Sequence, residues 1–159
     1  LDTVKSLLSF FTGYLATHPE QYRRIVEDPS IIPAAMEELL RIHGTVTLER
    51  GATHDFEFQG VQFRRGDRVA LLTQIFGLDD RAVEDPYTVD FDRRISPHLI
   101  FGAGPHRCIG SHLARIEIRV FLEEWCKAFP RFGLKPGAEI KTAGGIVWAP
   151  VEMPITWKP

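Results

Sequence analysis

The chemistry in this sequence concentrates in ten residues, Phe101-Gly-Ala-Gly-Pro-His-Arg-Cys-Ile-Gly110. Cys108 has the widest chemical scope among them. It is one of two cysteines, it falls in a loop, and a long helical pattern begins just after it. Gly102, Gly104 and Gly110 permit backbone conformations and close approaches that a side chain blocks, and Pro105 stiffens the loop between them. Such a loop presses its backbone against something flat. The first unpaired N–H groups and the positive dipole end of the following helix point toward the sulfur. These surroundings favour a thiolate.

A thiolate at this place has several uses. An inert buried cysteine leaves the three glycines and His106 without a reason. A zinc site needs further Cys or His ligands at short spacing, and only His106 and His112 lie near. Cys126 stands a long helix away, about 27 Å along the axis, too far to share a metal or close a disulfide. A dinucleotide-binding loop wants glycine where Arg107 stands. A nucleophilic Cys–His pair stays open, although His106 is only two residues from Cys108 and no orienting partner is evident.

The pattern Phe-x-x-Gly-x-His-x-Cys-x-Gly resembles the haem-binding signature of the cytochrome P-450 family at every defining position. In that family the cysteine is the axial thiolate of haem iron. The resemblance therefore implies haem b as cofactor, Cys108 as the iron ligand, and Phe101, Gly102 and Gly110 as residues shaping the haem-binding loop. It also implies Arg50 and His106 as partners of the haem propionates, a use that suits a charged fork and an imidazole donor. Asp2 and Thr3 read locally as a helix-capping pair. By resemblance they are the acid–alcohol pair beside the oxygen-binding site, relaying protons to dioxygen. Glu38 and Arg41, three apart on one helical face, are on their own a surface ion pair. By resemblance they are the family's Glu-x-x-Arg, with Arg93 as third partner. One Glu bridging two Arg makes a buried network that fixes loop geometry more than it adds stability.

Glu-Glu-Leu-Leu-Arg, Gly-Leu-Asp, Val-Asp-Phe, the Cys-x-Gly-x-His-Leu-Ala-Arg run and Gly-Ile-Val make the chain similar to the soluble bacterial camphor-type monooxygenases. Val46, Leu48, Ile146 and Val147 match substrate-facing places there, and Leu48 departs from an aspartate. The implied reaction inserts one oxygen atom from dioxygen into a C–H bond of a small apolar, terpenoid-like substrate. Electrons come from a 2Fe-2S ferredoxin with its NAD(P)H-dependent reductase. Arg107, Arg115 and Arg119 then offer a basic face to an acidic ferredoxin, or they only solvate their helix. The alternatives are a peroxygenase or nitric oxide reductase on the same fold, or a truncated, non-catalytic piece.

The positioning elements are mainly helical. Val4, Leu7, Leu8, Phe11 and Leu15 recur at helical spacing, with Lys5, Ser9 and Thr12 opposite. A second helix starts at Pro19 and stops before Asp28-Pro29. A third runs over about 33–43 and ends on Gly44 as a C-terminal cap. From 45 to 72 the period becomes two, with a hairpin turning at Gln59-Gly60. A short helix then gives way to an irregular stretch up to Pro97. After the cysteine, His112, Arg115, Arg119 and Glu123 form one polar stripe on an otherwise apolar helix, the pattern of a helix buried on most sides. The tail over 132–157 reads as loops and short strands.

The expected fold is mainly α with small β-sheets, one unit over 1–159. By resemblance it is the C-terminal portion of the P-450 fold: the end of the central long helix, the Glu-x-x-Arg helix, the meander, the Cys-ligand loop and the following helix. Family members run to about four hundred residues, so the chain resembles their C-terminal two fifths, without the N-terminal part, and is expected to be inactive alone.

Composition agrees with a globular chain: 159 residues, 44% hydrophobic and 25% charged. A formal net charge of -2 gives no basic footprint for nucleic acid. No apolar run reaches the length of a membrane span in this part. Two cysteines that cannot pair fit a reducing, cytosolic setting, and the resemblance implies a bacterial cytoplasm.

Overall fold

The computed structural model describes residues 2–94 and 97–158; Ile95 and Ser96, within the expected irregular stretch, lie outside the described residues. Five α-helices are described: α1 (Asp2–Thr17), α2 (Pro19–Glu27), α3 (Ile32–Ile42), α4 (Thr73–Phe76) and α5 (Ser111–Ala128). Eight short strands join them: β1 (Thr47–Gly51), β2 (Phe56–Phe58), β3 (Val61–Phe63), β4 (Arg68–Leu72), β5 (Arg131–Leu134), β6 (Lys141–Ala143), β7 (Ala149–Glu152) and β8 (Ile155–Lys158). They pair antiparallel, two by two, as β1–β4, β2–β3, β5–β8 and β6–β7. The architecture is mainly helical, with small two-stranded antiparallel sheets, as expected.

Local chemistry accounts for most boundaries. Pro19 opens α2, and Asp28 ahead of Pro29 leaves the helix at φ -134° and ψ 87°, the extended backbone a residue before proline prefers. The Asp28 carboxylate then accepts the Ser30 N–H at 3.0 Å and starts a single 3-10 turn. In the β2–β3 hairpin Phe56 faces Phe63 and Phe58 faces Val61, and Gln59 and Gly60 take φ of 51° and 79°. Two successive left-handed residues match the twist of the paired strands.

Gly44 does not cap α3 in the left-handed manner expected. The helix ends at His43, and Gly44 is not among the glycines of positive φ. A β-carbon on Gly44 would instead lie 2.6 Å from the Cα of Gln74. The glycine is there because the backbone ahead of β1 passes against α4.

The core is built from Leu7, Phe11 and Leu15 of α1, Ile25 of α2, Leu39 and Leu40 of α3, and Ile118 and Leu122 of α5. Truncating one of these to alanine costs about 2–5 kcal/mol. Thr12, expected on the polar side of α1, is buried, its hydroxyl donating to the Leu8 carbonyl at 2.8 Å. Helix α5 is covered on one stripe only. Ala114, Ile118, Leu122 and Cys126 are buried, whereas Leu113, Ile116 and Val120 keep 59%, 54% and 46% of their surface exposed. Within this chain, then, α5 is not buried on most sides: α1, α2 and α3 pack against it among the described residues, with Phe121 and Trp125 partly buried at the edge of the same face.

Candidate functional site

The loop before α5 folds back on itself. The Gly102 N–H donates to the Leu99 carbonyl at 2.8 Å, and the Cys108 N–H donates to the Phe101 carbonyl at 2.7 Å. Between them a single 3-10 turn, Gly104–His106, is closed by Arg107 donating to Gly104 at 3.1 Å. Gly102 and Gly104 need left-handed backbone, with φ of 68° and 61°. A β-carbon on Gly102 would also lie 3.3 Å from the His106 carbonyl. The Cys108 carbonyl accepts the Ser111 N–H at 3.3 Å, which joins the loop to the first turn of α5.

This geometry leaves the Cys108 side chain exposed, opening on a cleft of about 520 Å³ between the first turns of α1, the segment into β1 and the start of α5. Thr3, Val46, Leu48 and His106 line the same cleft, together with Phe101, Gly102 and Gly110. Its walls are mostly aliphatic. A neighbouring cleft of about 490 Å³ shares Leu48, Gly102 and His106, and there Arg50 enters.

Cleft and loop fit a flat, largely apolar prosthetic group with charged edges. Val4, Leu7 and Leu113 offer apolar area, while Arg50 and His106 stand where anionic groups could be met. A β-carbon on Gly110 would meet the Cys108 sulfur at 3.8 Å, an ordinary contact distance, so space alone does not require glycine there. Among the described residues no group of three or more His, Cys, Asp or Glu could hold a metal ion by itself. A single thiolate suits a metal that arrives with its other ligands already in place, and it does not suit a protein-only zinc site.

Other expected residues lie apart from the cleft. Asp2 opens on a different crevice, with Lys5, Ser9, Val147 and Val151. Helical rotation separates it from Thr3. Val147 bridges to Val46 through the backbone, and the Ile146 carbonyl accepts the Thr47 N–H at 3.0 Å. Neither the Val147 nor the Ile146 side chain lines the Cys108 cleft.

Behind the loop, Glu38 and Arg41 are fully buried, and Arg93 reaches in beside them. Arg41 donates through Nε to Glu38 Oε2 at 2.9 Å and through Nη2 to Oε1 at 2.6 Å. Arg93 Nε donates to Glu38 Oε1 at 3.2 Å. Arg41 also donates to the carbonyls of Gly77 and Pro86, both at 2.6 Å, and of Thr88 at 3.0 Å. One guanidinium thus gathers the irregular segment onto α3. Those carbonyl partners carry no mark in the sequence, since any residue supplies a carbonyl.

A second cluster was not foreseen. Glu37, adjacent to Glu38, accepts Arg115 Nε at 2.5 Å, Arg115 Nη2 at 3.0 Å and His98 Nε2 at 3.1 Å. Burial opposes ionisation of Glu37, but hydrogen bonds from His98 and Arg115 and the Arg115 charge outweigh it and hold the carboxyl at about 2. Arg115 is therefore an internal partner and not part of the basic face expected of Arg107, Arg115 and Arg119. Arg119 stands 3.6 Å from Glu123, and Arg107 stays exposed. A polar stripe on an apolar helix was the available signal, but the partner lies 78 positions away.

The comparisons with known proteins point one way. The family described as Cytochrome P450 matches residues 30–143. The probable cytochrome P450 127A1 of Sinorhizobium fredii is 40% identical over 157 residues, 99% of this chain and 38% of its own length. The steroid C26-monooxygenase of Mycolicibacterium smegmatis is 31% identical over 160 residues, 99% of this chain and 40% of its own. The crystal structure of cytochrome P450 CYP101C1 superposes with a TM-score of 0.95 at 41% identity, over 100% of this chain and 41% of that one. The chain spans about two fifths of the length of these relatives. A match that runs from ahead of α3, through the thiol loop and α5, into the C-terminal strands makes this chain a member of the cytochrome P450 family.

Proposed function

We propose that the protein carrying this chain is a haem-thiolate monooxygenase. It inserts one oxygen atom from dioxygen into a C–H bond of a small apolar, terpenoid-like substrate, with electrons from a 2Fe-2S ferredoxin and its NAD(P)H-dependent reductase. The observation that carries this reading is that the Cys108 thiol and the Thr3 hydroxyl, 105 positions apart in sequence, open on one mostly aliphatic cleft. Members of this family bind haem b, and when bound it supplies the oxygen-activating chemistry.

The chain's own residues have separate tasks. Cys108 would hold the haem iron through its thiolate, on a loop where its amide is already held by the Phe101 carbonyl. Arg50 and His106 meet the propionates. Val46 and Leu48 contact substrate from the cleft, with Ile146 and Val147 in the strand register beside them. Aliphatic contacts recognise shape, worth about 1–3 kcal/mol per methylene, and they exclude the water that would waste reducing equivalents. The Thr3 hydroxyl would hold a proton at the cleft wall, while Asp2, in its own crevice beside Lys5, would exchange protons with solvent and supply Thr3 only once the two spaces are joined by water. Among the described residues no helix is long and apolar enough to cross a membrane. The same reading places the protein in the bacterial cytoplasm, where Cys126 stays a free thiol and Cys108 stays out of disulfides and available to the iron.

The test is the spectrum of the reduced protein under carbon monoxide, for wild type and Cys108→Ser, followed by turnover with ferredoxin. A strongly red-shifted Soret band in wild type, lost in Cys108→Ser, with a hydroxylated terpenoid as product, is the expected result. A variant that keeps both the band and full activity overturns the ligand assignment. Product formed from peroxide alone, and none with ferredoxin, replaces the reading by a peroxygenase. Tight binding of polar compounds and none of terpenoids overturns the substrate class.

A further inference from the structure

Two adjacent carboxylates on α3 serve different parts of the molecule. Glu38 takes Arg41 and Arg93 and faces the irregular segment. Glu37 takes Arg115 of α5 and His98 of the segment that leads into the thiol loop. The 3.1 Å contact between His98 Nε2 and the carboxylate requires hydrogen on Nε2. The His98 side chain is only 7% exposed.

The second cluster ends on the loop itself. The Arg115 guanidinium carbon lies 4.6 Å above the centre of the Phe101 ring, and the His98 ring is centred 5.9 Å from it. Phe101 in turn provides the carbonyl that receives the Cys108 amide at 2.7 Å. A continuous path of contacts therefore runs from the Glu37 carboxylate through Arg115 and Phe101 to the backbone of Cys108. Packing alone does not ask for this arrangement. A fork-to-fork pair fixes the plane of the guanidinium, and that plane lies against one ring. A partly buried ion pair is also costly to desolvate, so it is weak as a device for stability and strong as a device for geometry.

We propose that Glu37 and Arg115, with His98, are positioning residues for the thiol loop: they hold Phe101, and through its carbonyl the Cys108 amide, in the arrangement in which the sulfur serves as axial ligand. This rests on the haem-thiolate reading. None of the three touches the reacting atoms, so loosening them changes the state of the thiolate before it changes the fold. Removing groups that orient a metal ligand from behind typically costs about 10- to 100-fold in metal affinity or activity.

The experiment uses the complete haem-loaded protein with Glu37→Gln, Arg115→Leu and Arg115→Lys. Three quantities are read: haem content, the conversion rate of the strongly red-shifted carbon monoxide band to an unshifted one, and hydrogen exchange at the Cys108 amide. Glu37→Gln and Arg115→Leu should keep haem, convert about tenfold faster and exchange the Cys108 amide faster. Arg115→Lys, which keeps charge without the fork, should fall between them and wild type. Should Arg115→Leu fail to fold, Glu37→Gln decides by the same readouts. Wild-type conversion and exchange in Glu37→Gln overturn the positioning role while the haem-thiolate reading stands. Absence of the red-shifted band in wild type overturns that reading and this proposal with it.

Discussion

Glu38 and Arg41 face each other through two hydrogen bonds, of 2.6 and 2.9 Å, with no exposed surface on either side chain. Removing Glu38 deprives Arg41 and Arg93 of their shared carboxylate and leaves the Arg41 charge buried without a counter-charge, at a cost of about 3–5 kcal/mol. Arg41 would also lose its alignment on the carbonyls of Gly77, Pro86 and Thr88. Glu38→Ala should therefore abolish haem incorporation, not merely slow turnover. Haem-to-protein stoichiometry on the purified variant checks it, and a normal ratio would show the pair to be dispensable.

Gly77 presents the same network from the other side. A β-carbon there would lie 2.2 Å from the Arg41 carbonyl oxygen and 2.8 Å from its side-chain Cγ. Its φ is an ordinary -67°, so the constraint is space and not backbone conformation. Gly77→Ala must push α4 away from α3 and should destabilise the fold by about 1–3 kcal/mol, the cost typical of overpacking. Chemical denaturation midpoints measure this; a change below a few tenths of a kcal/mol would mean that α4 moves freely.

Thr3 and Asp2 open on different spaces, so their substitutions should be separable. In the complete protein Thr3→Ala should still bind haem and substrate and consume reduced cofactor. Most of the electrons should then appear as hydrogen peroxide. Asp2→Asn should slow the whole cycle with a larger solvent isotope effect and a nearly normal product yield. Product formed per cofactor oxidised decides the matter, and an unchanged ratio in Thr3→Ala would reduce the pair to a helix end.

His43 gives the chain an acid sensitivity. Burial first, and then the nearby His18 charge, lower its value from 6.5 to about 4. Phe10 stacks on its ring, and Phe11 and Tyr14 tilt against it. The unfolded chain binds a proton at His43 below pH 6.5 and the folded chain does so only near 4. Stability from this residue is therefore complete above 6.5 and falls as pH drops toward 4, by roughly 2 kcal/mol after allowing for its partial exposure. His43→Phe should flatten that part of the profile, read from melting temperatures at a series of pH values. Equal slopes in both proteins would show that other groups carry the acid response.

Helix starts and turns were legible in the sequence because their causes are local. Pro19, Asp28-Pro29 and Gln59-Gly60 act within a few residues of where they stand, and the structure places α2 and the β2–β3 hairpin accordingly. Gly44 was legible as a special residue but not for its reason, since Gln74 is thirty positions away. The apolar pattern of α5 shows which positions are apolar, not which are covered, and only one stripe has neighbours among the described residues. Within the candidate site, the loop glycines and the Glu38–Arg41 spacing were visible. The Glu37–Arg115 pair was not, because two long polar side chains on separate helices look solvated until the helices are brought together.

The self-contained β2–β3 hairpin has a practical side. Its strands pair chiefly with each other, Glu57 and Gln62 join across the ribbon by a side-chain hydrogen bond, and both stay exposed. A fluorophore or affinity tag attached at the Gln59-Gly60 tip would therefore ride on a ribbon that neither Cys108 cleft wall nor buried ion-pair network depends on. Spectroscopic labels belong there, and insertions anywhere between Phe101 and Cys108 should be refused, because that span is closed on itself by a backbone hydrogen bond.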